Sequence, residues 1–374
     1  MPKYNIPLAR PYFDSEDISA VKEVLDSRWV AQGPTTALFE KEYAAALGSR
    51  YAVALNSATS GLHIGLLALG IKKGDDVLVS DFTFPASGNS IIYAGANPIP
   101  LDIDPETFNI TPEEISEKIT PNTSAIMPVY ALGNPPEMDE IVRIAREYDL
   151  VIIEDSACAH GSEYQGKMAG TFGEIGVFSF HARKVLSTGE GGMAITDSEL
   201  FFNDLVAIRS HGMTLGAFER ASADELVLPE FSLLGYNYRM SDIMAGIGRI
   251  QLRRLSEYVE KRNMLAKTYI DLIVDYSLPL IPQRVLEKAK HDYQTFAVRT
   301  ESKKVRNKLI RELKKRAIGS TIGTYSLSQL PLFSGETPNS KLIFEQTIAL
   351  PMYHELIEEE VKIVMDEVRG ILKK

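Results

Sequence analysis

From about residue 50 to 200 the chain alternates short apolar runs with segments of helical period. The runs Tyr51–Leu55, Val77–Ser80, Asn97–Leu101, Ser124–Val129, Val151–Glu154, Gly176–Ser179 and Gly192–Thr196 read as strands. Between them, Thr59–Leu69, Pro85–Ala94, Pro112–Lys118 and Glu137–Tyr148 read as helices. This alternation predicts an α/β fold with a mostly parallel sheet covered on both faces.

After residue 240 the texture changes. Ser241 to about Ile273 reads as one long helix rich in Leu, Arg, Glu and Lys. Two strand-and-helix passages follow, Asp292–Arg299 with Lys303–Lys315, and Ile343–Leu350 with Ile357–Ile371. The pattern predicts a large α/β domain over residues 1–245 and a smaller C-terminal α+β domain over 246–374, starting within the long helix. There is no internal repeat and no low-complexity linker.

Composition narrows the function classes. The 374 residues are 45% hydrophobic and 24% charged, as in an ordinary globular protein. A net charge of −10 gives no broad basic footprint for nucleic acid, so an anionic substrate would need local cations. Cys158 is the single cysteine, which excludes an intramolecular disulfide and a cysteine-built metal site. The run Met1–Pro7 has no apolar core of signal-peptide type, and no apolar stretch reaches the roughly 18 residues of a membrane span. A cytoplasmic protein is expected.

Candidate chemistry collects where predicted strands end. Asp155 follows the apolar run Val151-Ile152-Ile153 and Glu154, so it emerges at the carboxyl edge of the sheet, where open α/β sheets place ligands. A carboxylate there needs a partner, which a pyridinium, a metal or a structural arginine would supply. No His/Asp/Glu cluster at ligand spacing accompanies it, which disfavours a metal. Lys184 lies between the run ending at Phe180 and a Gly189-Glu190-Gly191-Gly192 turn that leads into another strand. One cofactor needs both groups: pyridoxal phosphate is held as a Schiff base by a lysine, and a carboxylate keeps its ring nitrogen protonated.

Three further segments admit two readings each. Asn56–His63 follows a strand and opens a helix, which suits either an anion at free N–H groups or an ordinary cap by Ser57 or Thr59. Phe84 suits either stacking on a flat ring or a place in the core. Gly235–Met240 carries Asn237 and Arg239, as a capped turn or as an anion site. Of six histidines, only His181 and His211 fall beside candidate sites.

Taken together, these segments resemble the DegT/DnrJ/EryC1/StrS family of pyridoxal-phosphate sugar aminotransferases. The likeness runs from Trp29-Val30-Ala31-Gln32-Gly33-Pro34 to Leu350-Pro351. Its most specific parts are Glu154-Asp155-Ser156-Ala157, Phe178–Gly192 and Gly235–Met240. The resemblance implies an aspartate-aminotransferase-like fold, fold type I among pyridoxal-phosphate enzymes. It implies that Lys184 anchors the cofactor and moves protons, and that Asp155 pairs with the ring nitrogen. Phe84 would stack on the ring. Thr59, Ser60 and Ser179 would bind the phosphate, and Asn237 would reach the phosphate of a neighbouring subunit in a homodimer with shared sites. The implied reaction moves an amino group, from glutamate by analogy with this family, to a nucleotide-linked keto-sugar, with pyridoxamine phosphate as the intermediate form of the cofactor. Amino-sugar and polysaccharide biosynthesis is the implied setting. Arg183, Arg239 and His211 are candidates to receive the nucleotide's diphosphate, with Trp29 and Tyr325 as further substrate contacts.

Two departures stand out. The family usually has Gln or His three positions after the aspartate, where this chain has Cys158. Many members carry a His-Tyr pair near the substrate mouth, where this chain reads Ile322-Gly323-Thr324-Tyr325-Ser326-Leu327. Three rival functions share the scaffold. A sugar dehydratase of this type has histidine at the lysine position, which Lys184 argues against. An aminotransferase for a non-sugar ketone, such as a cyclitol, is not separated by these residues. A non-catalytic regulatory protein would not need the intact lysine, aspartate and phosphate set.

Overall fold

The computed structural model describes residues 4–213 and 228–373. Met1–Lys3 of the amino-terminal run therefore lie outside the described residues, as does Lys374. A seven-stranded sheet forms the centre. Its spatial order is Tyr51–Leu55, Gly192–Thr196, Ile175–Ser179, Val151–Asp155, Thr123–Met127, Asp76–Ser80 and Asn97–Leu101. Gly192–Thr196 runs antiparallel to both neighbours, and the other strands share one direction. The predicted strands and helices of this region are present, with ends displaced by a residue or two.

The sheet is apolar on both faces because helices cover both. The helix Ala58–Ala68 lies unusually close to it. A Cβ added at Gly61 would stand 2.7 Å from Val177 Cγ1, and one at Gly65 would stand 2.7 Å from Ile153 Cδ1. These two glycines set the depth of the helix, and thereby the position of its amino terminus at the sheet edge. On the opposite face, Phe39 and Tyr43 of the helix Pro34–Leu47 pack against Phe178 and Phe180.

A second, antiparallel sheet has the order Ile281–Pro282, Phe296–Arg299, Thr347–Leu350, Thr321–Ile322. Its core gathers Leu265 and Tyr269, Leu309 and Leu313, and Val361, Val364 and Met365 from three helices. Ile6 joins this core through a bridge to Ile318, so the start of the chain packs with its end. The chain also crosses back: Tyr325–Ser326 pairs with Phe82–Thr83 beside the central sheet, and the Asp81 carboxylate accepts from Ser326 Oγ at 2.5 Å and Ser328 N at 2.7 Å.

Two expectations need correction. The long helix is two helices, Asp242–Arg253 and Leu255–Asp275, with Arg254 between them at φ −97°, ψ 1°. The Arg254 guanidinium is drawn to Asp14 at 2.8 Å, Glu16 at 3.0 Å and Asp17 at 3.0 Å. The first helix packs its small residues on Ser15–Ser27, where a Gly246 Cβ would meet Ala20 O at 3.4 Å. The bend frees the second helix to cover the other core. In addition, Ile343 is not in a strand. Thr337 and Pro338 start a helix that runs to Gln346, and the strand is only Thr347–Leu350.

Candidate active site

A cavity of about 390 Å³ opens at the carboxyl edge of the central sheet. Thr59, Phe84, Asp155, Cys158, Ser179, Arg183 and Lys184 all line it. Asp155 ends its strand with the side chain nearly buried. Its Oδ2 accepts from Ser87 Oγ at 2.7 Å and its Oδ1 from Ala157 N at 3.2 Å. Burial pushes the carboxyl above its ordinary range, and the two donors and the Lys184 charge only partly offset this. The site is thus built to hold an anion that still needs a cation.

Lys184 sits on a tight loop. Ala182 N donates to Gly189 O at 2.9 Å, and Lys184 N donates to His181 O at 2.8 Å. Val185 and Leu186 are buried and root the loop, so the lysine side chain projects from a fixed base. Its Nζ donates to Cys158 Sγ at 2.9 Å. Burial raises the Cys158 thiol, with the Lys184 charge opposing.

Behind the cavity lies His160, one of the histidines that do not fall beside a candidate site in the sequence. It is fully buried and touches the site through Ser179. The Ser179 carbonyl can only accept, so His160 Nε2 carries the proton and donates to it at 2.8 Å. Nδ1 then accepts from Tyr43 Oη, 2.9 Å away. Burial lowers His160 to about 4, so it stays neutral and fixes the Ser179 backbone.

Glu154 points to the other side of the strand. It accepts from Tyr130 Oη at 2.5 Å and from the backbone N–H groups of Gly170, Phe172 and Gly173 at 2.6–2.8 Å. It fastens that loop to the sheet and has no place on the cavity wall. Glu154→Gln turns one acceptor into a donor facing backbone donors. We expect a loss of about 3 kcal/mol, read as a lower urea midpoint at unchanged slope. An unchanged midpoint would refute the assignment.

The remaining predicted site residues are placed differently. Ser60 is off the cavity wall. Its N donates to Ser57 Oγ at 3.1 Å and its hydroxyl to Asn56 Oδ1 at 2.6 Å, so both donors serve the helix cap. Phe84 is 63% exposed, which removes the core reading, and Tyr325 meets it edge-on with centroids 6.1 Å apart. Trp29, His211, Asn237 and Arg239 do not line the cavity. They occupy neighbouring segments elsewhere. Asn237 bridges Ser210, Arg239 bridges Leu55, and Asp242 N donates to Ala31 O at 3.2 Å. Trp29 Nε1 donates to Gln32 O at 3.0 Å. Among the described residues, Arg239 Nη1 is buried without a hydrogen-bond partner, and burial next to Arg209 holds this guanidinium below its usual range. Ser87, Glu190, Gln294 and Thr295 border the cavity without having been anticipated.

The family model of the DegT/DnrJ/EryC1/StrS aminotransferases matches residues 11–369. The chain belongs to this family. It is 38% identical to the protein MJ1066 of Methanocaldococcus jannaschii, over 99% of this chain and 98% of that one. It is 34% identical to the spore coat polysaccharide biosynthesis protein SpsC of Bacillus subtilis, over 98% and 97%. Spr1654 of Streptococcus pneumoniae has been solved in apo, PLP and PMP forms. Its PMP form superposes with a TM-score of 0.92 at 28% identity, over 99% of both chains. The family makes this chain a pyridoxal-phosphate-dependent aminotransferase of fold type I.

The cavity fits the cofactor. It offers a primary amine, a buried carboxylate lacking a full countercharge, an exposed aromatic face, and the amino-terminal residues Ala58 and Thr59 of a helix for an anion. Among the described residues, no group of three or more His, Cys, Asp or Glu is placed to hold a metal, and no helix is long and apolar enough to cross a membrane.

Proposed function

We propose that this aminotransferase acts on sugars, moving an amino group from glutamate to a nucleotide-linked keto-sugar in the cytoplasm. The observation that carries the reading is the Lys184 amine and the Asp155 carboxylate on one cavity wall beside an exposed Phe84. The kinship with SpsC, which is named for polysaccharide biosynthesis, favours a sugar over a cyclitol-like ketone. Incubation with glutamate and a panel of nucleotide-linked keto-sugars, with amino-sugar formation read by mass spectrometry, tests it. Transfer only to non-sugar ketones would overturn it. A nucleotide that belongs to the substrate is also expected to raise the melting temperature by mass action.

Pyridoxal phosphate, when bound, supplies a carbonyl that accepts an amino group and a ring that withdraws electrons. The protein's part is positional. Lys184 would anchor the cofactor and, once free, take the proton from the donor's α-carbon. Asp155 would hold the proton on the ring nitrogen. Phe84 would cover one ring face. Thr59 and Ser179 would receive the phosphate, and Cys158 Sγ accepts a hydrogen bond from the lysine amine. Arg183, at the cavity wall, receives substrate anions.

The working unit we propose is a homodimer with shared sites, and each chain divides near residue 245 into a large and a small domain. Asn237 is exposed and off its own cavity, and the nearby Leu228, Phe231, Leu233 and Leu234 expose an apolar surface suited to a second copy. Mixing Lys184→Ala with Asn237→Asp protomers tests this. The new aspartate repels the cofactor phosphate. If Asn237 acts across the interface, a mixed dimer has one site with both lesions and one with neither. Activity is then expected to return to about a quarter of the wild-type value at equal mixing, by random pairing. No recovery after subunit exchange, or a fully active monomer in light scattering, would refute the shared site.

A further inference from the structure

Residues 291–295 lead into the strand Phe296–Arg299 of the second sheet, yet they reach between the two loops that build the cavity. Asp292 is fully buried. Its Oδ1 accepts from Gln294 N at 3.0 Å, and its Oδ2 accepts from Gly161 N at 3.4 Å, on the loop that follows Asp155. Buried Arg262 donates through Nη1 to the carbonyls of Tyr293 at 3.0 Å and Gln294 at 3.1 Å. The backbone of Gln294 is therefore held on both sides.

The Gln294 side chain is itself oriented. Its Oε1 accepts from Thr295 Oγ1 at 3.0 Å, which turns the amide nitrogen the other way. Nε2 donates to the Arg183 carbonyl at 3.0 Å. That carbonyl belongs to the peptide whose nitrogen is Lys184 N, and Lys184 N donates to His181 O at 2.8 Å. The peptide plane that precedes the lysine is thus pinned at both ends. Among the described residues, the lysine side chain beyond it has one hydrogen bond, to Cys158. A small error in that plane is carried down the long side chain and displaces Nζ.

We propose that Gln294 is a positioning residue for Lys184, acting through the Arg183 carbonyl. The proposal rests on the reading that Lys184 captures the cofactor. Gln294 contributes no proton and no electrons. It keeps the amine at the distance and direction that attack on the cofactor's carbonyl carbon requires.

The test uses cofactor-free protein, wild type and Gln294→Met, which keeps the shape and removes the donor. Pyridoxal phosphate is added, covalent capture is trapped with borohydride at intervals, and the labelled peptide is identified by mass. Pyridoxine phosphate, which lacks the aldehyde, reports non-covalent binding alone. We expect Gln294→Met to slow capture about 10- to 100-fold, with pyridoxine phosphate affinity changed less than about twofold. Thr295→Val, which releases the orientation of the amide, is expected to slow capture by roughly threefold. It decides the matter if the first variant does not fold. Unchanged capture, or equal losses in capture and in pyridoxine phosphate binding, would overturn the proposal. Label on a lysine other than Lys184 in the wild type would instead overturn the assignment of Lys184, and the two failures are told apart by the mapped peptide.

Discussion

Lys184→Ala is expected to abolish covalent capture of pyridoxal phosphate and to slow amino transfer by about 10⁴-fold or more, since one group supplies both the anchor and the moving proton. The fold is expected to survive. The side chain makes one hydrogen bond, to Cys158, while buried Val185 and Leu186 and the bond from Ala182 N to Gly189 O hold the loop. Lys184→Arg makes the sharper control. It keeps the positive charge near Asp155 but cannot take part in capture, so a purely electrostatic role would leave it active. Borohydride reduction and peptide mapping of the wild type place the label, and single-turnover kinetics with glutamate give the rate. Turnover of Lys184→Ala within tenfold of wild type would remove Lys184 from the chemistry.

The parts of this architecture that sequence reveals are those in which one short stretch decides its own environment. Val151–Ile153 is apolar and is followed by the carboxylates Glu154 and Asp155, so strand, burial and the place of Asp155 at the sheet edge follow from five adjacent residues. The loop around Lys184 is bounded by a strand on each side and punctuated by glycines, so its position between core strands is legible too. What is not legible depends on distant partners. Arg254 ends a helix without glycine or proline because Asp14, Glu16 and Asp17 pull its side chain from the far end of the chain. Ile343 and Phe344 suit a strand locally, but Pro338 and the hydrogen bonds of Asn339 N and Ser340 N to buried Asp102 start a helix. Gln294 lies 111 positions from Arg183, and nothing near it in sequence suggests a catalytic loop. Ser60 illustrates a subtler limit. A helix start rich in hydroxyls signals donors, but only the positions of Ser57 and Asn56 decide which of them are already used. Cys158 is intermediate: its three-residue spacing from Asp155 puts it near the site, while its contact with Lys184 emerges only from the folded loop.

Asp155→Asn is expected to separate stability from activity. The amide fits where the carboxylate was. Its oxygen still accepts from Ala157 N, and its NH₂ donates to Ser87 Oγ, whose proton turns to Thr83 Oγ1, 2.7 Å away. Without a negative charge, the ring nitrogen of the bound cofactor loses the group that holds its proton. Capture by Lys184 is expected to persist while amino transfer slows roughly 10²- to 10⁴-fold. The cofactor-free protein responds in the opposite sense. Burial raises the Asp155 carboxyl above its unfolded value, so the folded state binds a proton that the unfolded state has released. The stability this provides is fully present below the unfolded value of about 3.9. It is lost as pH rises through the raised folded value. As pH rises, the wild-type apoprotein comes to carry an ionised, underpaired carboxylate that the asparagine variant lacks. Asp155→Asn apoprotein is expected to melt above wild type at pH 7, with the gap closing as pH falls towards 4. Saturating pyridoxal phosphate is expected to narrow or reverse the gap at pH 7, because the cofactor's ring N–H gives the wild-type carboxylate its missing partner. Melting curves of both proteins across pH, with and without cofactor, check all three signs. A variant less stable than wild type at pH 7 without cofactor would mean that Ser87, Ala157 and Lys184 already satisfy the carboxylate. The cavity would then have no need of a protonated ring.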